Sequence, residues 1–226
     1  MRKSTIMMTI FNKLYKSTFI MNTEEYENMF AAFKTTIEMM EDREYFVPQN
    51  LKNLTREDFN EKYTQFKNDN ALIFIFDHLH NQKKILVYFV NTPVQISVSD
   101  VTTFARIIRD KEVGNGVIIS FKSLQTSAEK IIREINIDDN YNIEYFNIDE
   151  LIVNISKHVL VPKHVNCSEE EKKKVLSYYR AKESQLPKIL QTDPMARYLG
   201  ARKGNLIKIE RKSQTAGQYI MYRLVI

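Results

Sequence analysis

From His158 to Ile226 the chain is dense in ordered folding signals. Ser168 with Glu171 three residues on forms a capping box, in which hydroxyl and carboxylate satisfy the free N–H groups of a helix start. Val175, Leu176 and Tyr179 then fall on one helical face, with Lys172, Lys173 and Lys174 around them. Asp193-Pro194 is a second start, an acceptor at the N-cap followed by proline at the first helical position. Gly200 lies where a short helix Pro194–Leu199 needs a left-handed residue to stop. Leu206, Ile207 and Ile209 belong to a strand-like run ending near Arg211, Ser213–Gly217 is loop chemistry, and Tyr219–Ile226 reads as a returning strand. The pattern predicts a small module of at least two helices on a short mixed sheet.

The charge is unevenly spread. Residues 151–226 carry 15 Lys and Arg against 6 Asp and Glu, hence +9, whereas residues 23–150 carry 14 against 22, hence −8. A protein that coats nucleic acid is usually basic over its main body, so this split argues against that class; the basic half reads either as a solvated surface or as a module docking on an acidic partner surface. One cysteine, Cys167, excludes a disulfide framework. The abundance of Ile, Lys and Asn suggests an A/T-rich genome, as in a protist or a large DNA virus.

Residues 1–21 contain no acid and read as a loose N-terminal extension. Asn22 with Glu25 opens a long helix whose apolar stripe is Tyr26, Met29, Phe30, Phe33, Ile37 and Met40. Thr55 with Asp58 caps a second helix that turns Phe59, Tyr63 and Phe66 inward. Leu72–Phe76 and Ile85–Val90 are short strands about a polar hairpin loop. Ser99 or Asp100 caps a helix carrying Val101, Phe104, Ile107 and Ile108. After a turn at Val113–Gly116 come a strand Val117–Phe121, a helix Thr126–Ile135 and a strand Ile143–Ile148. Strands alternating with helices predict α/β layers. The expected domains are 22–149 and 150–226.

Four blocks in the basic half lie in an order and spacing that resemble the C-terminal domain of the fifth subunit shared by eukaryotic nuclear RNA polymerases. The same module stands alone as a small subunit of the archaeal enzyme. The blocks are His158–His164 with Pro162 and Lys163; Glu183–Pro187 with Gln185 and Leu186; Asp193–Gly200 with Pro194, Arg197 and Tyr198, followed by Gly204; and Arg211–Gly217 running into Tyr222-Arg223. The stretch Tyr26–Val47 is similar to the opening of the eukaryotic family's N-terminal domain, and the looser likeness continues to about Ile148. The resemblance implies α+β organisation overall: a three-layer nuclease-like α/β jaw domain without nuclease activity, and a small two-layer α/β assembly domain. It implies a non-catalytic polymerase subunit whose blocks just named pack on the largest subunit and near the small omega-like subunit. The N-terminal domain would then form part of the jaw beside downstream duplex DNA. The location implied is the nucleus for a cellular protein, or the virion or host cell for a viral one. A free-standing protein that binds transcription regulators is the rival reading, and a nuclease a distant third.

Individual residues take their meaning on this background. In the family the strand-to-helix loop corresponding to Lys122–Ala128 holds a Thr-Pro-Ser-Ala motif near DNA. Here it reads Gln125-Thr126-Ser127-Ala128, which keeps the Ser and Ala only. Lys122, Thr126, Ser127 and Ala128 are the DNA-proximal candidates, because backbone N–H groups at a helix start can face phosphate. Lys203, Lys208, Arg211, Lys212 and Arg223 could bind nucleic acid directly, but the resemblance favours a protein partner. Asp77-His78-Leu79-His80 has metal-ligand residue types, yet no matching Cys/His set accompanies it, so a solvated loop is expected. Cys167 has His164 nearby but no orienting acid, so no nucleophile is expected. A nuclease trio would need Glu-x-Lys on a strand, whereas Glu144 is followed two positions on by Phe146. No metal or cofactor is expected.

Overall fold

The computed structural model describes residues 23–66, 71–92, 94–138, 140–213 and 217–226; for Thr23, residues 62–66, Ala71, Lys212, Ser213 and Gln218 it describes the backbone alone. The expected extension 1–21 and the Asn22 cap lie outside these residues, as do the side chains of Tyr63 and Phe66. The chain divides into two compact units, Met1–Val153 and Asn154–Ile226. The sequence puts the boundary at 149/150, a few residues earlier. Ile148 and Leu151 are buried in the first unit, where the 3-10 turn Ile148–Glu150 meets the long helix, and they carry its edge past that point.

The first unit is built on a four-stranded sheet in the order β1-β2-β3-β4. These strands are Ala71–Asp77, Lys84–Val90, Asn115–Ser120 and Asn142–Asn147; β1 and β2 are antiparallel, and β2, β3 and β4 are parallel. Parallel neighbours need a crossover, and helices α4 (Val98–Asp110) and α5 (Thr126–Ile135) supply it. Leu86, Tyr88, Val90, Ile118 and Ile143 share one sheet face and form a core with Val101, Phe104 and Ile108 of α4 and Ala128 and Ile132 of α5. The opposite face packs on α1 (Thr23–Asp42), with the Phe33 ring 5.4 Å from Phe74 and 6.2 Å from Phe89. Helices on both faces make the unit three-layered, and β2 is buried from Ile85 to Val90.

Most of the predicted stripe of α1 is buried, with Met29, Phe33, Ile37 and Met40 all in the core; Ala32, Thr36 and Met39 widen it. Thr55 and Asp58 form the expected reciprocal cap of α3 (Arg56–Phe66), while the single turn α2 (Gln49–Lys52) after Pro48 is too short to show a periodic signal. The cap of α4 requires a correction. Ser97 is the N-cap, and Asp100 answers it as the third helical residue, so the sequence reading of Ser99 or Asp100 places the start too late. Gly116 also differs from expectation: it lies inside β3, not in a turn. A Cβ there would come within 2.3 Å of Ile108 Cδ1 and 2.7 Å of Phe104 Cε1, so glycine is what lets α4 lie on the sheet.

The second unit is a mixed sheet in the order β5-β7-β8-β6: Lys163–Asn166, Leu206–Ser213, Gly217–Val225 and Lys188–Ile189. Strands β7 and β8 form the predicted hairpin in register from Leu206 opposite Leu224 to Ser213 opposite Gly217. Strands β5 and β6 are not foreseen from the sequence; they span only four and two residues, too few to show alternation. Ser168 and Glu171 cap α6 (Glu169–Tyr179), and Asp193 caps α7 (Pro194–Tyr198), both as predicted. Gly200 has φ 62 and ends α7, with Ala201 N–H donating to the Ala196 carbonyl at 2.9 Å.

Gly116→Ala is expected to destabilise the first unit by about 1–3 kcal/mol through overpacking, since the rigid Phe104 ring cannot step aside. Chemical denaturation of the wild type and variant checks this; an unchanged midpoint would mean that α4 does not press on β3.

Candidate interaction sites

The loop expected to face DNA runs from the end of β3 into α5. It is pinned from several sides: Lys122 N–H donates to Ser120 Oγ at 3.1 Å, and Tyr145 Oη–H donates to the Lys122 carbonyl at 2.6 Å. Ile96 N–H donates to the Ser123 carbonyl, Gln125 N–H donates to the Ile96 carbonyl, and Gln95 Nε2 donates to Ser123 Oγ at 2.9 Å. These bonds hold the loop although it contains no proline. Gln125 occupies the N-cap position of α5 without a side-chain cap. Thr126 and Ser127 are exposed, while the Ala128 side chain is fully buried in the core, so only its backbone N–H is available to a ligand.

The four blocks of the second unit do different physical work. His158 closes the 3-10 turn Ile155–Lys157 and accepts from Leu160 N–H at 3.2 Å; beyond it Val159 is 97% and Leu160 84% exposed. Lys163 and His164 open β5, and His164 Nδ1 lies 2.7 Å from the Pro162 carbonyl. A carbonyl only accepts, so Nδ1 carries the hydrogen. Gln185 closes the turn Glu183–Gln185 by accepting from Lys182 N–H, and Leu224 N–H donates to the Pro187 carbonyl at 2.8 Å, so Leu186-Pro187 feed directly into the sheet. Tyr198 is buried, with its hydroxyl 3.2 Å from Asn154 Nδ2, while Arg197 is half-buried. Pro194 is exposed. Gly200, Gly204 and Gly217 all have positive φ. Several of these residues therefore shape the unit, while Val159 and Leu160 are among its most exposed apolar side chains.

Lys172, which the sequence reading places with Lys173 and Lys174 around the apolar face of α6, stands apart from them in the structure. It is buried: its Nζ donates to the Gly204 carbonyl and pairs with Glu183, each at 2.8 Å. The capping box fixes its place one turn into α6, and its reach ties the Glu183–Pro187 block to the Lys203-Gly204 turn. Periodicity cannot find it, because a lysine scores as surface whatever it reaches. Lys208 is likewise engaged, 2.7 Å from Glu210. Tyr179, expected inward, is 56% exposed, its ring 6.2 Å from Tyr222. Lys203 is exposed, and the Lys212 side chain lies outside the described residues.

Glu144 is the carboxylate a nuclease reading would need, and it is taken. Arg43 holds it in a bidentate pair at 3.0 and 2.8 Å, with the guanidinium almost wholly buried, and Asn142 Nδ2 adds a third bond at 3.1 Å. His78 Nδ1 accepts from His80 N–H in the β1–β2 loop, and its ring packs edge-on against Tyr45. Among the described residues no three His, Cys, Asp or Glu gather to hold a metal ion. Burial pushes the Cys167 thiol up to about 11, the opposite of what a nucleophile needs.

Lys172→Met is expected to lower the stability of the second unit by about 1–3 kcal/mol, mainly through the unsatisfied Gly204 carbonyl, since Glu183 keeps access to water. Hydrogen exchange should show the Gly204 turn and Glu183–Pro187 losing protection while the first unit does not change. Uniform behaviour across both units would contradict the local role.

Against known proteins, the family model described as RNA polymerase Rpb5, C-terminal domain, matches residues 153–225, and that described as RNA polymerase Rpb5, N-terminal domain, matches residues 23–108. "DNA-directed RNA polymerases I, II, and III subunit rpabc1" of Dictyostelium discoideum is 34% identical over 203 residues, 90% of this chain and all of the relative. The RPABC1 subunits of Caenorhabditis briggsae and Caenorhabditis elegans are each 33% identical over 198 residues, 85% of this chain and 93% of theirs. With both domains matched in order and the curated relatives covered almost end to end, the chain belongs to the Rpb5 family of DNA-directed RNA polymerase subunits.

Proposed function

We propose that this chain is a non-catalytic subunit whose second unit docks on the largest polymerase subunit, near the small omega-like one, and whose first unit forms part of the jaw beside downstream duplex DNA. For a cellular protein the location that follows is the nucleus. What carries the reading is the co-linear match of both domains with subunits shared by three polymerases. Two features support it. The strand carboxylate Glu144 is neutralised by Arg43 and so is poorly placed to hold a catalytic cation. The exposed Val159-Leu160 pair in a basic unit offers an apolar contact with a charged surround, the usual anatomy of an interface.

The DNA contribution is small and sequence-independent. The first unit is acidic, so phosphate contacts fall to local groups, namely the Lys122 ammonium and the N–H groups at the start of α5, which lacks a side-chain cap. Such contacts position a duplex without reading its bases, and nucleotidyl transfer stays with the large subunits.

Two measurements test this. Polymerase isolated through its largest subunit should contain the full chain, and should lose it when residues 154–226 are deleted; retention without those residues would overturn the docking assignment. Lys122→Ala in the assembled enzyme should shorten elongation-complex lifetime modestly and equally on all templates, with the slope of log affinity against log salt reduced by about 0.9. Identical lifetimes at every salt concentration would remove Lys122 from the DNA path.

A further inference from the structure

The register of the second sheet gathers residues from separate sequence blocks on one face. His164 lies opposite Ile209 on β7, Arg211 is two residues further along β7, and Arg223 on β8 lies opposite Ile207. Side chains alternate along a strand, so Arg211, His164 and Arg223 point to the same side, in a row of about 13 Å at the usual strand rise. Pro187 adjoins Arg223 through its bond to Leu224 N–H, and Asp193 at the start of α7 lies near enough to act on His164. Residues of three of the four blocks thus lie on or beside this face, and the fourth adjoins its edge through the Pro187 carbonyl.

The cations of the row are left unmatched. Arg223 is half-buried, and its Nε is shut off from water without a hydrogen-bond partner. Among the described residues no carboxylate pairs with Arg223 or with the exposed Arg211. Asp193 forms no ion pair with either, and its Oδ1 caps α7 by accepting from Met195 N–H at 2.9 Å. The contrast with Lys172 and Lys208 is sharp, since each of those has its glutamate at hand. A guanidinium donor withdrawn from water and left unbonded is unfavourable in the free subunit, and an acceptor that the side chain turns to meet would relieve it.

We infer that this face is a receptor for an acidic segment of the polymerase subunit on which the second unit docks, with one carboxylate seated on Arg223 and a second acidic group drawn to Arg211. The inference rests on the docking assignment above and adds the chemistry of the partner. A side-chain carboxylate suits a recessed guanidinium fork, which can hold it through two parallel N–H bonds. Duplex phosphate is less suited: it is read by exposed cations spread along a backbone, whereas Arg223 is recessed. The surplus of +9 on residues 151–226 favours an acidic partner surface in the same sense.

The test uses the full chain as wild type, Arg223→Gln, Arg223→Lys and Arg211→Gln. In competition with the tagged wild type for incorporation into polymerase, Arg223→Gln should be taken up at least about tenfold less, Arg223→Lys and Arg211→Gln less severely. The melting temperature of the free Arg223→Gln chain should be unchanged or raised, because an unsatisfied charge has been removed. In the free wild type, the Arg223 Nε–Hε NMR signal should shift saturably with an acetylated tetraglutamate amide but not with a 20-base-pair DNA duplex. Equal uptake of Arg223→Gln would overturn the inference, as would a lowered melting temperature that accounts for the lost uptake. A shift with duplex alone would assign the face to nucleic acid and overturn it too. Failure of the docking assignment is seen separately, as absence of the wild-type chain from the enzyme.

Discussion

A charge taken out of water has to be matched inside the protein, and that requirement organises both units of this chain. Arg43, buried at the end of α1, is matched by Glu144 on β4, which ties the long helix to the far strand of the first sheet. Lys172, buried on α6, is matched by Glu183 and the Gly204 carbonyl, which ties a helix to two loops of the second sheet. Both contacts join segments separated in sequence, and both are directional, so they specify arrangement where apolar burial alone would tolerate alternatives. Arg223 breaks the rule, and its exception marks the face proposed to receive a partner.

Local chemistry is readable where its whole mechanism lies within a few residues. The boxes at Thr55 and Asp58 and at Ser168 and Glu171, and the Asp193-Pro194 start with its Gly200 stop, each appear where the residues put them. The β7–β8 hairpin is visible because its strands are eight and nine residues long. What escapes depends on distant partners. Ser97 is passed over because Ser99 and Asp100 offer equally plausible caps, and only the path of the incoming chain decides between them. Gly116 reads as a turn residue, since its need for no side chain comes from α4 pressing on the strand. Strands β5 and β6 exist because a longer hairpin offers them an edge.

The candidate sites are legible as residues and not as roles. Sequence blocks name Tyr198, Gly200 and Gly204 together with His158 and Arg223, but the fold separates them. Tyr198 and the glycines shape the second unit; Val159 and Leu160, present in the first block only as spacing, are among its most exposed apolar side chains. Ala128, grouped with the loop expected to face DNA, turns its side chain into the core and leaves only backbone to the surface. Lys172 and Arg43 are missed because hydrophobic periodicity carries no information about a buried charge whose partner is about thirty or a hundred residues away.

Membership in the Rpb5 family makes this chain a part whose purpose lies in an assembly, and its stoichiometry there is the most direct measure of that purpose. Native mass spectrometry of polymerase purified from the source cell through its largest subunit should show one copy of this chain per enzyme, lost only when the complex itself is dissociated. A pool of the chain free of both largest subunits, with none in the intact enzyme, would contradict the account.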